Sequence, residues 1–185
     1  MPGDLPPSSG PTSRVSILHG GGVTVTAMEP VQDSGTDDCY SCGGNEALND
    51  LPPWQRILVG TGWRVAHAIN CALPGWLVVI ARRHITTVAE LDAAEATELG
   101  LVTWRLSRAL IEVTGCAKTY VAAFSEAAGF THLHVHVVPR AHGLPTDEQG
   151  PAVFTHLRRP AAEWVPEGTM DDLARALAAR IASEP

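Results

Sequence analysis

The sequence lacks an apolar run long enough to cross a membrane, and it lacks a recognisable secretory leader. Its longest uninterrupted apolar run covers residues 76–81, whereas a membrane-spanning helix needs about 20 apolar residues. The first residues do not combine a charged segment with an apolar one, as a signal peptide does. We therefore expect a cytoplasmic protein without a membrane partner. Its 185 residues suffice for one domain with a buried core.

Basic residues are scarce as well. Thirteen Lys and Arg residues stand against twenty Asp and Glu residues, which gives a formal net charge of −7. Nucleic acids and anionic membranes are bound by basic surfaces. The composition therefore predicts neither as a partner.

The chain contains four cysteines, Cys39, Cys42, Cys71 and Cys116. Without a secretory leader, reduced thiols are the expected state. The spacing of Cys39 and Cys42 is that of a C-x-x-C motif, which leaves open half of a zinc site, a redox pair and a chance arrangement. Cys71 and Cys116 are expected to be small buried apolar residues.

Composition divides the chain into three segments. Residues 1–30 are dominated by Gly, Pro, Ser and Thr, which bury too little apolar area to offset the entropy of ordering, so a disordered tail is predicted. Residues 31–145 are predicted to form the main domain, and residues 146–185 a C-terminal extension. The extension is expected to end in a helix that begins around Thr169 and Asp172.

The periodicity of apolar residues predicts an α+β fold with an antiparallel sheet, one long helix and a C-terminal helix. The expected strands cover residues 64–69, 76–80, 119–124 and 131–138. The long helix is expected to begin at Asp92, because Glu95 three residues later completes a capping box, and to end at Gly115. Its apolar stripe comprises Leu99, Val102, Leu106, Leu110 and Val113.

Three histidines alternate with apolar residues in the last predicted strand. His132, His134 and His136 share one face because side chains alternate along a strand. Unpaired imidazoles are costly in a core, so this face is expected to carry chemistry. The residues alone leave two chemistries open, namely a catalytic metal with an open coordination position and an imidazole nucleophile that attacks phosphorus.

The pattern His-apolar-His-apolar-His-apolar-apolar at residues 132–138 resembles the signature of the histidine-triad (HIT) family. The resemblance extends over roughly residues 39–142 and includes the Pro-Gly turn before the second strand and the basic pair before His84. It implies a HIT-like fold and hydrolysis or transfer of nucleotidyl groups through a nucleotidyl-histidine intermediate. It assigns the nucleophile to His134 and stabilisation of the phosphate charge to His136.

The resemblance also implies a structural zinc ion, as in the zinc-containing bacterial branch of the family. The matching ligands are Cys39, Cys42, His84 and His132. Family members commonly form homodimers through the long helix and its neighbouring strand. Trp104 lies on that helix outside the apolar stripe, where an exposed indole favours a partner.

The sequence departs from the family pattern around the nucleoside. Ala68, two residues before Asn70, stands where many members have an acidic residue for the ribose hydroxyls, and Gly129 belongs to a segment without the usual amide and hydroxyl. Trp76 replaces the His that usually follows Pro-Gly. Asn70, Ser125 and His136 are the expected substrate contacts, in a pocket altered from the family norm.

Four functions stay open. The leading one is a hydrolase that cleaves a phosphoester, phosphoramidate or phosphoanhydride bond of a small nucleotide. A nucleotidyltransferase would use the same intermediate with an acceptor other than water. A nucleotide-binding or scaffold protein would retain the fold without turnover, and a metal enzyme would require the histidines of the triad to share one ion.

Overall fold

The computed structural model describes residue 35, residues 39–127 and residues 129–183. The predicted tail at residues 1–30 lies outside the described residues. In the described part, the helices are α1 (Tyr40–Glu46), α2 (Ala93–Thr114) and α3 (Glu167–Ala182). The strands are β1 (Leu58–Val59), β2 (Trp63–His67), β3 (Leu77–Ala81), β4 (Lys118–Ala122) and β5 (His134–Arg140). No helix of these residues is long and apolar enough to span a bilayer.

The strands form one antiparallel sheet in the order β1-β2-β3-β5-β4, so the predicted α+β class is confirmed. Arg64 of β2 pairs with Ile80 of β3, which pairs with His134 of β5. Paired residues of antiparallel strands project from the same face. The register therefore aligns Arg64 and His134 on one face, two strands apart.

The other face of the sheet packs against the helices. Val65, Val79 and Val135 of the three central strands belong to the main core, together with Leu106 and Leu110 of α2. Helix α3 adds its apolar stripe, Met170, Ala174, Leu177 and Ile181, to the same core. The sheet thus has one face that is covered by helices and a second face on which side chains can meet a ligand.

The predicted ends of the long helix are confirmed. Asp92 accepts a hydrogen bond from the N–H of Glu95, whose carboxylate accepts from the N–H of Asp92. Gly115 follows the helix with φ of 69°, a left-handed conformation that glycine adopts at little cost.

Other boundaries differ from the prediction. Helix α3 begins at Glu167, ahead of Thr169, after Pro166, which offers no side-chain cap; proline's fixed φ suits a helix start. Strand β5 begins at His134 rather than at residue 131. The N–H of Leu133 donates to the carbonyl of Ile85 in the loop after β3, so the residues ahead of His134 follow a connecting loop.

The first part of the C-terminal extension covers the open face of the sheet near the triad. It is built from short 3-10 segments, Thr146–Glu148, Gly150–Arg158 and Ala161–Glu163. Val153, Phe154 and Leu157 of this segment pack with Trp76 and Val138 in a second apolar cluster. The sequence did not predict this segment, although it forms one wall of the site described next.

Candidate functional site

A cavity of about 480 Å³ opens on the face of the sheet opposite the helices. Its floor is formed by alternate residues of the central strands, Arg64, Ala66, Ala68, Val78, Ile80, His134 and His136. Phe124 and Phe154 supply apolar walls beside the histidines. The alternation predicted for the histidine strand thus delivers two of its three histidines, His134 and His136, to one cavity.

The hydrogen bond of His134 fixes which ring nitrogen carries the proton. Its Nδ1 lies 2.8 Å from the carbonyl oxygen of His132. A carbonyl oxygen can only accept, so Nδ1 is the protonated nitrogen and Nε2 has a lone pair. Burial lowers the pKa of His134 below its ordinary value, which keeps the ring neutral at pH 7. The outcome is a neutral imidazole with an unprotonated Nε2.

His136 has the opposite arrangement. The indole Nε1–H of Trp76 donates to Nδ1 of His136 over 3.1 Å. Because an indole nitrogen can only donate, Nδ1 of His136 is unprotonated and its Nε2 carries the proton. Burial and the neighbouring His134 lower the pKa of His136 to about 4. The ring is therefore a neutral hydrogen-bond donor through Nε2.

The two rings are adjacent but hold their protons on different nitrogens. Their centroids lie 4.9 Å apart and their planes meet at 86°. An unprotonated nitrogen on His134 and an N–H donor on His136 suit a group that has an electrophilic centre and anionic oxygens. A phosphate ester is such a group.

The predicted substrate contacts line the same cavity. Ser125 and Asn70 are both held at φ of 51°, and both line the cavity. The Ser125 hydroxyl accepts the backbone N–H of His134 over 3.2 Å, so it also supports the histidine strand. Ala68 is buried in the cavity floor and offers no acceptor at the position where the resemblance places an acidic residue for the ribose hydroxyls.

The four predicted metal ligands converge beside the cavity. The ligand atoms of Cys39, Cys42, His84 and His132 all lie within 4.8 Å of one another. Sγ of Cys39 is 3.4 Å from Nδ1 of His132, and Sγ of Cys42 is 3.2 Å from Nδ1 of His84. A tetrahedral zinc ion separates sulfur and nitrogen ligands by about 3.5 Å. Two thiols and two imidazoles at this spacing fit Zn²⁺.

The surroundings of the cluster support this fit. Nε2 of His132 lies 2.8 Å from the carbonyl oxygen of Ala81, so Nε2 carries the proton and Nδ1 has a lone pair for a metal. Helix α1 supplies Cys42, and the backbone N–H of Cys42 donates to Sγ of Cys39. No disulfide joins any of the four cysteines, so Cys39 and Cys42 are available as thiolate ligands.

The remaining cysteines occupy apolar surroundings, as predicted. Cys71 is buried in the cluster around Trp76, and burial raises the pKa of its thiol to about 11. Cys116 is buried in the main core. The Cys71 thiol is therefore not suited to nucleophilic chemistry, because its thiolate forms only well above neutral pH.

Three cavity residues were not singled out in the sequence. His67 is buried and satisfied, since its Nε2 accepts the N–H of Gly75 and its Nδ1 lies 2.9 Å from the carbonyl of Ala68. Arg64 and Trp54 also line the cavity. The alternation of Arg64 with Ala68 in the predicted strand was the available signal, but arginine is usually exposed.

The fold and the site together define an α+β protein with a histidine-bearing cavity beside a Cys2His2 cluster. Residues 57–143 match the family model of the HIT domain. With the triad in its cavity and the HIT-like sheet, this match shows that the chain contains a HIT domain. The predicted resemblance is confirmed, and a HIT domain supports a nucleotide-binding or nucleotide-processing function in general.

Several solved structures are similar to this chain in fold. A HIT-like protein of Bartonella henselae is 17% identical, with a TM-score of 0.60 over 82% of this chain and 99% of that one. A zinc-bound histidine triad family protein of Mycobacterium smegmatis is 21% identical, with a TM-score of 0.56 over 80% and 96%. A histidine triad protein of Bradyrhizobium japonicum is 26% identical, with a TM-score of 0.56 over 68% and 89%. No curated protein matches the sequence.

Proposed function

We propose that the protein hydrolyses a small nucleotide at its phosphoester, phosphoramidate or phosphoanhydride bond, with His134 as the nucleophile. The observation that carries this proposal is the 2.8 Å contact between Nδ1 of His134 and the carbonyl of His132. It leaves Nε2 unprotonated in a ring that burial keeps neutral, and a neutral imidazole attacks phosphorus without prior loss of a proton.

The proposed reaction has two steps. Nε2 of His134 attacks the phosphorus, a P–N bond forms, and the bond from phosphorus to the leaving group breaks with its electron pair. The positive charge on the phosphorylated ring is stabilised through Nδ1–H by the carbonyl of His132. Water then attacks the phosphorus, the P–N bond breaks with its electron pair returning to Nε2 of His134, and the proton of the water is released to solvent. His136 donates Nε2–H to a non-bridging oxygen in both steps, which is the geometry of transition-state stabilisation.

The metal cluster is proposed to hold a structural Zn²⁺. Cys39, Cys42, His84 and His132 together would fill a tetrahedral coordination sphere, and a closed sphere has no position for a reacting water. The proposed ion would fasten α1 to the start of the histidine strand. Metal catalysis by a shared triad is disfavoured, because His132 takes part in the Cys2His2 cluster through Nδ1 and contacts the carbonyl of Ala81 through Nε2, so it has no nitrogen left to share an ion with His134 and His136.

The test is intact-mass detection of a covalent adduct. The wild-type protein would be mixed with nucleoside 5′-monophosphate esters and phosphoramidates and quenched without acid. We expect an acid-labile nucleotidyl adduct, which H134A does not form. H142A removes an exposed histidine outside the cavity and is the matched control. Adduct formation in H134A, or an adduct mapped to Cys71, would overturn the proposal.

Two alternatives are separated by the same experiment. A nucleotidyltransferase would form the adduct but pass it to an added alcohol or phosphate acceptor faster than to water. A non-catalytic nucleotide-binding protein would bind nucleotides without an adduct, and the absence of an acceptor at Ala68 is the observation that favours it. The hydrolase is preferred because the proton positions on His134 and His136 suit turnover.

The proposed partners are the nucleotide substrate and a second copy of the chain, without nucleic acid or membrane. On the outer surface of α2, Leu101 and Trp104 are 56% and 54% exposed. Strand β4, at the sheet edge, presents Val121 beside this helix. Exposed apolar side chains at this spacing favour a homodimer through α2 and β4.

A further inference from the structure

The cavity contains a buried arginine that no carboxylate of residues 39–127 or 129–183 neutralises. Arg64 is 1% exposed. Its Nε donates to the side-chain oxygen of Asn45 and its Nη1 to the carbonyl of Gln55, both over 2.8 Å. Both acceptors are neutral, and Arg64 forms no ion pair within residues 39–127 and 129–183. An arginine stays charged in proteins, so the cavity wall carries a positive charge that the described part of the chain does not compensate.

Two residues of α1, Gly44 and Asn45, hold the Arg64 side chain in place. In α1, Gly44 has no side chain at a point where a Cβ would lie 2.8 Å from Nη2 of Arg64. Asn45 of the same helix also donates to the carbonyls of Ala81 and Arg82, so the acceptor for Arg64 is itself fixed. The guanidinium is therefore held in one position rather than swinging between cavity and solvent.

The position of Arg64 relative to the nucleophile follows from the register. Arg64, Ile80 and His134 form one row across three strands, and neighbouring strands are about 4.8 Å apart. The Arg64 and His134 positions are thus about 10 Å apart along the cavity floor. This is the scale of a nucleoside, with the reacting phosphorus at one end of the cavity.

Other groups at the Arg64 end are donors as well. Tyr40, Ser41 and Trp54 line this end of the cavity. Nε1 of Trp54 is buried and has no hydrogen-bond acceptor in the described part of the chain. Among the described residues that line the cavity, Glu126 is the one with a carboxylate. It follows Ser125 and therefore lies at the triad end. The Arg64 end is rich in donors and positively charged.

We propose that this end of the cavity binds a second acidic group of the substrate, a carboxylate or a phosphate, that is separate from the phosphate attacked by His134. A planar guanidinium pairs with such groups through two parallel hydrogen bonds. This deepens the proposed function and rests on it, because the substrate must already place its reacting phosphate at His134.

A neutral base would satisfy the site less well. The two acceptors of a guanine edge could contact Arg64, but they would leave its buried charge uncompensated. Burial lowers the pKa of Arg64, and the nearby charge of Arg82 lowers it further. Arg82 therefore adds to the positive potential at this end of the cavity. An acidic group removes this cost, whereas a neutral one does not.

The test compares ligands that differ by one acidic group. Isothermal titration calorimetry of the wild-type protein would compare two pairs of ligands. The first pair is orotidine 5′-monophosphate and uridine 5′-monophosphate, and the second is adenosine 3′,5′-bisphosphate and adenosine 5′-monophosphate. Hydrogen bonds to a charged group predict about ten- to a hundredfold tighter binding of the more acidic member in at least one pair. A preference in the first pair indicates a carboxylate on the base, and one in the second a phosphate on the sugar.

Variants assign the effect to Arg64. R64M should abolish the preference, whereas R56M, which removes an exposed charge outside the cavity, should keep it. R64K retains the charge if R64M fails to fold, and it should keep part of the preference. Equal affinities within both pairs overturn the inference, as does a preference for the more acidic ligand that persists in R64M. The inference also fails if the protein prefers guanosine monophosphate to adenosine monophosphate and shows no preference for the more acidic member of either pair.

The outcome is separable from that of the proposed function. If the His134 adduct forms and the paired ligands bind equally, the inference about Arg64 fails and the proposed reaction stands. If no adduct forms and no monophosphate binds, both fail together.

Discussion

Substitution of Trp76 tests how a neighbouring side chain controls the protonation of the His136 ring. Trp76 is fully buried, and its Nε1–H is the donor to Nδ1 of His136. As long as this bond is made, protonation of Nδ1 requires that the donor be displaced. Trp76 is therefore a positioning residue that keeps His136 neutral and its proton on Nε2.

The substitution W76F removes the donor and keeps an aromatic ring. A neutral hydrogen bond contributes about 0.5–1.5 kcal/mol, which corresponds to a rise of about 0.4–1 in the pKa of His136, from its value of about 4. The acid limb of kcat/KM should move to higher pH by the same amount. The smaller ring should also lower the free energy of unfolding by about 1–3 kcal/mol.

The measurement is an NMR titration of the His136 ring between pH 3 and pH 8, together with the pH profile of kcat/KM. W63F is the matched control, because Trp63 is equally buried and its Nε1–H donates to the carbonyl of Glu95 over 2.9 Å on the helix side of the sheet. It should lose similar stability without moving the pKa of His136. An unchanged pKa in W76F, or an equal rise in W63F, refutes the reasoning.

The remaining predictions concern the triad, the metal and the assembly. H134A should abolish turnover and leave zinc content unchanged, whereas H136A should slow the reaction about 10²- to 10³-fold; single-turnover rates and metal analysis check both. H132A, or chelation of the wild-type metal, should lower the melting temperature through loss of a closed site, and an unchanged melting temperature contradicts a structural zinc. W104E should convert a dimer to a monomer in light scattering, while A176E, a change at an exposed position of α3 outside the proposed interface, should not. Stability should fall as the pH drops from 6.5 to about 4, by about 3 kcal/mol from His136 alone, because the unfolded chain takes up the proton first.

The local features of the site were predictable because they lie in local sequence patterns. Strict alternation placed His134 and His136 on one face, and the C-x-x-C spacing made Cys39 and Cys42 candidates for a zinc site, which the resemblance to the family then favoured. The capping box at Asp92 fixed the start of the long helix. Each of these signals extends over fewer than ten residues, so no tertiary information was needed to interpret it.

The relations between distant elements were not predictable in this way. The donor for His136 comes from Trp76, sixty positions away, and this pairing depends on the register of β3 against β5. Arg64 was missed for a related reason, since its burial requires both the turn of α1 at Gly44 and the acceptor on Asn45. The packing of the covering segment at residues 150–158 over the triad depends on tertiary contacts with Trp76, which no local pattern reveals.

The two histidines of the cavity show how one strand can supply opposite chemistry from identical side chains. His134 contacts a carbonyl, which can only accept, so its proton is held on Nδ1; His136 contacts an indole, which can only donate, so its proton is held on Nε2. The carbonyl belongs to His132, whose ring is in the metal cluster. The residue that is proposed to bind the metal thus also sets the protonation of its neighbour. This coupling explains why a zinc ion without a direct part in the reaction would still matter for activity: it would fix the position of the acceptor on which the nucleophile depends.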